Sequence, residues 1–327
     1  MISVQILAPF SAKKEVSPLI EAGATELYCG LVDKKWQKSY SFVSSINLRH
    51  DSAANFSSFK DLQNSVEEAH SMNAKVFLVL NAHFYSKQQL PLVLKQAEKA
   101  VNTGIDSLIV ADSALIPKLC NEFNISISLS TGNPAFNNPA LDFFKELGVE
   151  RVVFPRHLSL NEIQQLALHS KKIGLTTECF VLNVICPYID GLCTFQHIVD
   201  ESIEFLPLGG LPCRYDFNVK AFSSSPPEKR LAAESHVNIW GNTLSRDCGL
   251  CALPYFKRFG INSFKIAGRA HSLEKKLADV NAVKNALDFL DSKGAESFTR
   301  KCKQLYFDLF HNKCDYINCY YPKAGFE

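Results

Sequence analysis

The cysteines are the residues whose distribution most clearly indicates chemistry in this 327-residue sequence. Five of the eleven cysteines fall within one stretch of 66 residues that is rich in glycine and proline. These five are Cys186, Cys193, Cys213, Cys248 and Cys251. An odd number of cysteines in a large chain without a secretory signal argues against a disulfide framework and favours metal ligands or buried thiols.

Four thiolates from this stretch would form a soft, all-sulfur ligand set, which suits a 4Fe-4S cluster or a structural zinc ion. Structural zinc sites usually use two closely spaced pairs, whereas six residues separate Cys186 from Cys193 and Cys213 stands alone. The spacing favours an iron–sulfur cluster on Cys186, Cys193, Cys213 and either Cys248 or Cys251. Zinc and a set of unliganded thiols are the alternatives.

The remaining cysteines suggest packing rather than chemistry. Cys29, Cys120 and Cys302 are interpreted as core thiols, since free cysteine is often buried. Cys314 and Cys319 could bind a second metal, but no further ligand accompanies them in the tail.

The elements that position these residues alternate between short apolar runs and longer amphipathic segments, as in repeated βα units with a parallel sheet. The eight apolar runs are residues 4–7, 26–30, 75–81, 107–110, 125–130, 151–154, 175–182 and 263–266. Eight such units predict an α/β fold, a (β/α)8 TIM-barrel-like structure whose active site lies at the C-terminal strand ends. An open doubly wound sheet is the alternative.

The connection between the seventh and eighth predicted strands holds about 80 residues, far more than loops of α/β units usually do. We therefore predict a barrel over residues 1–270 with a cysteine-bearing insertion at residues 183–251. A closing helix, an extra helix and a tail follow over residues 271–327.

Composition narrows the functional class. No run of about 18 apolar residues is present, so we expect no membrane insertion. The net charge of +2, from 35 basic and 33 acidic residues, gives no overall attraction to nucleic acid, although an RNA partner stays open. The first residues lack a basic region and a cleavage site, so we expect a cytoplasmic protein.

Several charged side chains stand at or near predicted strand ends. Arg156 and Arg269 carry planar guanidinium groups suited to a carboxylate, with structural salt bridges as the alternative. Glu178 could act as a general base or pair structurally with Arg156 or Lys265. His157 could transfer protons, or it could cap a helix or be solvated.

In its motifs the chain resembles peptidase family U32, also called the collagenase-like proteases. The resemblance rests on residues 178–180 followed by Ile185-Cys186 and Gly191-Leu192-Cys193. Further landmarks, in order, are residues 7–9, residues 21–24, Tyr28, Gly30, Asn81, Ser130, Asn137, residues 156–160 and residues 264–269. No Ser/His/Asp order, nucleophile elbow or HExxH helix accompanies the peptidase name.

The resemblance implies a 4Fe-4S cluster, with Cys248 as the fourth ligand because it stands the family's distance ahead of Lys265. The resemblance also places the candidate site among the landmark residues. We assign catalysis to Glu178 and His157, and substrate binding to Arg156, Arg269, Lys265, Asn81, Ser130 and Asn137.

The resemblance also implies a part in oxygen-independent hydroxylation, with prephenate implicated as the oxygen source. One branch of the family acts on the ubiquinone ring as a heterodimer of related chains, and longer branches hydroxylate RNA pyrimidines. The length of this chain favours a small aromatic or quinone-type substrate, or an anionic one, and a related partner chain. The alternatives are RNA-pyrimidine hydroxylation, a metal-dependent peptidase and a non-catalytic cluster-bearing subunit.

The chain departs from the family pattern at five positions. Asn183 and Val184 replace a glycine and a small residue, and Gln196 replaces a serine. His157 and Ala267 stand where the family has glutamates. Two carboxylates are therefore missing from the expected pocket rim, which favours a different substrate or a cluster-bearing protein without activity.

Overall fold

The computed structural model describes residues 4–40, 44–49, 51–184, 186, 189–192, 227, 246–295, 297–316 and 318–326. Nine parallel strands form its sheet within these residues. The strands are β1 Gln5–Pro9, β2 Glu26–Leu31, β3 Asn55–Phe56, β4 Lys75–Leu80, β5 Ser107–Val110, β6 Ser126–Leu129, β7 Arg151–Val153, β8 Thr176–Leu182 and β9 Ser263–Ile266.

Eight of these strands close a barrel. β2, β4, β5, β6, β7, β8 and β9 pair in sequence order, and β1 lies between β9 and β2. This confirms the predicted (β/α)8 fold and removes the open-sheet alternative. The two-residue β3 was not predicted, and it pairs only with β2 outside the closed ring.

Helices cover the outside of the barrel. They are α1 Val16–Glu21, α2 Lys34–Tyr40, α3 Phe59–Ser71, α4 Leu90–Val101, α5 Ile116–Glu122, α6 Asn138–Glu146, α7 Leu160–Lys172, α8 Leu253–Phe259, α9 Leu273–Lys293, α10 Phe298–Phe310 and α11 Pro322–Phe326. Local sequence sets several helix starts. Ser58, Ser159 and Ser272 each accept a hydrogen bond from a first-turn backbone N–H, which satisfies a donor that the helix itself leaves unpaired.

The alternation of side chains along the strands produces two apolar regions. Leu7, Tyr28, Phe77, Val79 and Ile109 form a separate cluster within the barrel. The alternate positions of the same strands join a larger cluster that includes the buried faces of the helices. The barrel interior is therefore filled by side chains rather than open.

The last residues of the chain return to β8. The backbone N–H of Cys248 donates to Asn318 O at 2.9 Å, and that of Tyr320 donates to Cys248 O at 3.0 Å. The Tyr320 and Tyr321 hydroxyl groups donate to Asn183 O and Phe180 O. The predicted tail is thus part of the structure around the C-terminal end of β8.

Most of the predicted insertion at residues 183–251 lies outside the described residues. None of the helices in the described part of the chain is long and apolar enough to cross a membrane.

Candidate functional site

A row of alternating charges crosses the barrel interior. Both carboxylate oxygens of the fully buried Glu178 are paired, with Lys265 Nζ at 2.8 Å and Arg151 Nη1 at 3.3 Å. Arg151 also makes two 2.7 Å bonds to Glu26, and Glu26 accepts a bond from Ser263 Oγ at 2.9 Å. Opposite charges therefore balance one another along the whole row.

This row supports the structural interpretation of Glu178. Of the two partners considered from the sequence, Lys265 pairs with Glu178 and Arg156 does not. The second partner of Glu178 is Arg151. Arg151 and Glu26 were missed from the sequence, although charged residues within otherwise apolar strands are a recognisable signal. The assignment of Glu178 as a general base stays a prediction.

Arg156, at the end of β7, is held by a carboxylate that the sequence did not single out. Its backbone N–H donates to Asp190 Oδ2 at 2.7 Å, its Nε lies 3.1 Å from both Asp190 oxygens, and its Nη1 donates to Val184 O. Burial alone would lower the pKa of Arg156, but Asp190 raises it above its ordinary value. The charge of Arg156 is thus already neutralised within the chain, which counts against a free cation at this position.

Arg269, after β9, differs from Arg156 in that one of its donor groups has no partner among the described residues. Its Nη2 donates to Asn47 O at 2.8 Å, whereas its buried Nη1 has no hydrogen-bond partner among the described residues. Burial, together with the nearby Arg49, lowers the pKa of Arg269 to about 10. A buried cation with an unused donor beside a second cation is the arrangement that an anionic ligand would stabilise.

Gly30 at the end of β2 makes room for Arg269. A Cβ at Gly30 would come within 2.1 Å of Arg269 Nη1, 2.2 Å of Asn55 Oδ1 and 2.7 Å of Asn47 Nδ2. Since such contacts are far shorter than van der Waals distance, any side chain at position 30 would displace the guanidinium or the amides. The family landmark Gly30 is therefore explained by the polar group packed against it.

The other predicted substrate-binding residues separate into two sets. Asn81 and Ser130 meet at the mouth, where Asn81 Nδ2 donates to Ser130 Oγ at 3.3 Å and the buried Asn81 Oδ1 is unpaired within the described structure. Asn137 is instead exposed and caps α6, since its Oδ1 accepts from Ala140 N at 2.9 Å. His157 is exposed, its ring lies 5.4 Å from that of Phe136, and its Nδ1 accepts from Asp190 N at 3.5 Å, so a part in proton transfer stays a prediction.

Two of the predicted cluster ligands lie near the C-terminal end of β8. Cys248 forms an antiparallel bridge with Leu182, and Cys186 follows Leu182 by four residues and interacts electrostatically with Arg156. Cys193 and Cys213 lie outside the described residues. Within the described ranges no three His, Cys, Asp or Glu side chains are grouped to hold a metal ion. Thiols are the donor type that an iron–sulfur cluster takes, so Cys186 and Cys248 are chemically suitable, and the cluster stays a prediction.

Cys251 is directed toward the C-terminal extension. A hydrogen bond with the Cys302 thiol lowers the pKa of Cys251. Cys251 Sγ and Cys319 Sγ lie 3.7 Å and 3.5 Å from the position that a Cβ on Gly325 would take. Cys314 interacts electrostatically with both of these thiols. These tail cysteines have tertiary neighbours that the sequence did not reveal. Cys248 also interacts electrostatically with Cys251, Cys314 and Cys319, so its assignment as the fourth ligand stays a prediction.

The family model described as peptidase family U32 matches residues 11–325. An uncharacterized protease of Methanocaldococcus jannaschii is 25% identical over 297 residues, which are 88% of this chain and 66% of that protein. The tRNA hydroxylation protein P of Escherichia coli strain K12 is 25% identical over 222 residues, which are 67% of this chain and 45% of that protein. The chain thus spans between about half and two thirds of the length of these relatives.

A solved structure supports the fold alone. A dihydrodipicolinate synthase family protein from Coccidioides immitis superposes with a TM-score of 0.51 at 9% identity, covering 96% of this chain and 81% of that chain.

Proposed function

Because the chain belongs to peptidase family U32, we propose that it is an iron–sulfur protein that takes part in the oxygen-independent hydroxylation of an RNA pyrimidine. The observation that carries this proposal is its similarity, over 67% of the chain, to a protein named for tRNA hydroxylation. Chain length had favoured a ubiquinone-type substrate. The relatives named for tRNA hydroxylation instead favour an RNA pyrimidine as the substrate. This substrate replaces the quinone-type one in the proposal.

The proposed cluster is a 4Fe-4S cluster held by Cys186, Cys193, Cys213 and Cys248. The positions of Cys186 and Cys248 near the end of β8 support it, because that end belongs to the face on which (β/α)8 barrels build active sites. A cluster of this type, when bound by these cysteines, would supply one-electron redox chemistry.

The proposed pocket takes a small carboxylic acid as well as the RNA base. Arg269 binds the carboxylate through Nη1, and Asn81 accepts from a hydroxyl group through Oδ1; neither atom has a hydrogen-bond partner among the described residues. Prephenate is the acid that the family resemblance suggests. Arg156 has a supporting role instead, since it fastens the segment around Asp190 to the end of β7.

The test compares RNA nucleosides from cells with and without the gene. Digestion of total tRNA and ribosomal RNA followed by mass spectrometry should show one hydroxylated pyrimidine that disappears on deletion. Wild-type protein and a Cys120→Ala variant, altered on α5, should restore it, and Cys186→Ala should not. Unchanged nucleosides in the deletion strain, or full restoration by Cys186→Ala, would contradict the proposal.

A further inference from the structure

Two segments that follow β2 and β4 carry positive charge. Helix α2 and residues 81–89 together contain four lysines and no aspartate or glutamate. The four are Lys34, Lys35, Lys38 and Lys87. Since the whole chain carries a net charge of only +2, the rest of the sequence has an excess of acidic residues. The near-neutral total therefore conceals a local basic region.

The two segments form one surface. Trp36 of α2 packs edge-on against Tyr85, with ring centroids 6.2 Å apart, and the Tyr40 hydroxyl donates to Gln88 O at 3.2 Å. These contacts place α2 directly against the segment after β4. The lysines of α2 and Lys87 are exposed, so their charges face solvent on the same side of the mouth.

Phe84 projects from this surface. It is 71% exposed, more than any other large hydrophobic residue in the described structure. The residues on either side are fixed: His83 Nδ1 lies 2.9 Å from Gly132 O, and Tyr85 N donates to Asp112 Oδ2 at 2.9 Å. A single exposed ring is common on protein surfaces, but this ring stands on an anchored backbone beside the exposed lysines, where its face is available for stacking.

We propose that this face, made of α2 and residues 81–89, binds a single-stranded segment of RNA, with Phe84 stacked on a base and the lysines beside phosphates. Aromatic stacking combined with a basic groove is the usual means of holding single-stranded nucleic acid. The inference rests on the RNA substrate of the proposed function and names the part of the molecule that receives it. Asn81 starts the same segment, so a base held here lies beside the pocket.

The first test measures RNA binding by the full chain purified without oxygen. Fluorescence anisotropy is recorded with a labelled RNA stem-loop and with a fully paired RNA duplex of equal length. Phe84→Ala should weaken stem-loop binding by about ten- to a hundredfold, the range expected for loss of one base stack. The matched control is Leu168→Ala on α7, which removes another large residue that is 55% exposed and should leave the affinity unchanged.

The second test isolates the lysines. Each phosphate contact to a single strand contributes about 0.7 to the slope of log affinity against log salt. A Lys35→Gln/Lys38→Gln double variant should therefore flatten the slope by about 1.4. Lys171→Gln/Lys172→Gln, at the end of α7 away from the mouth, removes the same charge and should leave the slope as in wild type.

Several results would overturn the inference: no stem-loop binding by wild type, equal affinities for Phe84→Ala and Leu168→Ala, or equal salt slopes for the two lysine variants. Dependence on the lysines without dependence on Phe84 would show that this face holds RNA through its phosphates alone, and it would overturn the stacked base. Circular dichroism and iron content confirm that each variant is folded. Normal RNA binding together with unchanged nucleosides in the deletion strain would refute the proposed reaction, while the proposed RNA-binding face would stand.

Discussion

Lys265 Nζ lies 2.8 Å from Glu178 Oε1, and this ion pair joins the neighbouring strands β8 and β9 inside the barrel. The same ammonium group lies 4.7 Å from the centre of the Tyr28 ring. The segment that carries Cys193 and Cys213 connects these two strands. The pair therefore ties β8 to β9 inside the barrel, four residues before Leu182, the end of β8 that lies opposite Cys248.

Removing one partner of this pair should be more harmful than removing both. Glu178→Leu should lower the free energy of unfolding by about 3–5 kcal/mol, because Lys265 is left buried without its counter-charge. Glu178→Leu/Lys265→Met should lose less, since no unpaired ammonium group remains while Arg151 keeps Glu26. Urea unfolding measures both values. Wild-type stability of Glu178→Leu together with lost hydroxylation would instead support the general-base interpretation.

The choice between Cys248 and Cys251 leads to a prediction about iron. Cys248→Ala should lose the proposed cluster, because the family's spacing makes its thiol the fourth ligand, whereas Cys251→Ala should retain it, because that thiol is hydrogen-bonded to Cys302. Iron content, sulfide content and EPR spectra of protein purified without oxygen provide the measurement. Loss of iron from Cys251→Ala alone would reverse the assignment.

The fold could be predicted from the sequence because strand and helix patterns are local. All eight predicted barrel strands are present, and their order follows from the right-handed βα connection. β3 was missed because a two-residue strand such as Asn55–Phe56 has no periodicity. Its pairing with β2 depends on tertiary position alone.

The candidate site was less predictable because its contacts join distant residues. Arg156 was placed correctly at a strand end, but its partner Asp190 stands 34 residues later in a turn. Asn47, which accepts from Arg269, is 222 residues away in sequence. The Cys251–Cys302 contact likewise depends on how α10 packs. Residue type singled out the charged groups at the strand ends, whereas the identity of their partners required the structure.

The burial of His271 gives a pH-dependent stability. Burial, with the nearby Lys275, Lys276 and Arg49, lowers the pKa of His271 from 6.5 to about 4. Between these values the unfolded chain binds a proton that the folded chain does not, so acid favours unfolding. The contribution of the neutral His271 to the free energy of unfolding is therefore complete above pH 6.5 and is lost as the pH falls toward 4.

Unfolding free energies measured across this range should therefore decline less steeply for His271→Gln than for wild type. His311→Gln, at an exposed residue after α10, is the matched control and should retain the wild-type slope. Identical slopes for all three proteins would show that His271 is accessible to protons in the folded state.

Arg269 Nη1, which has no hydrogen-bond partner in the part of the chain that the structure describes, predicts the behaviour of a carboxylate ligand. A charge-assisted hydrogen bond is worth about 1.5–3 kcal/mol, so Arg269→Gln should weaken prephenate binding by about ten- to a hundredfold while iron content stays unchanged. Gly30→Ala should have a similar effect, because the added methyl group displaces the guanidinium.

Arg156→Gln is the contrasting variant. It leaves Asp190 buried without its partner, so it should lower the stability of the fold more than the affinity for prephenate. Calorimetric titration with prephenate and thermal unfolding separate the two effects. Equal affinity in wild type and Arg269→Gln would place the acid elsewhere, and loss of iron from Arg269→Gln would make this arginine a support of the cluster rather than a ligand contact.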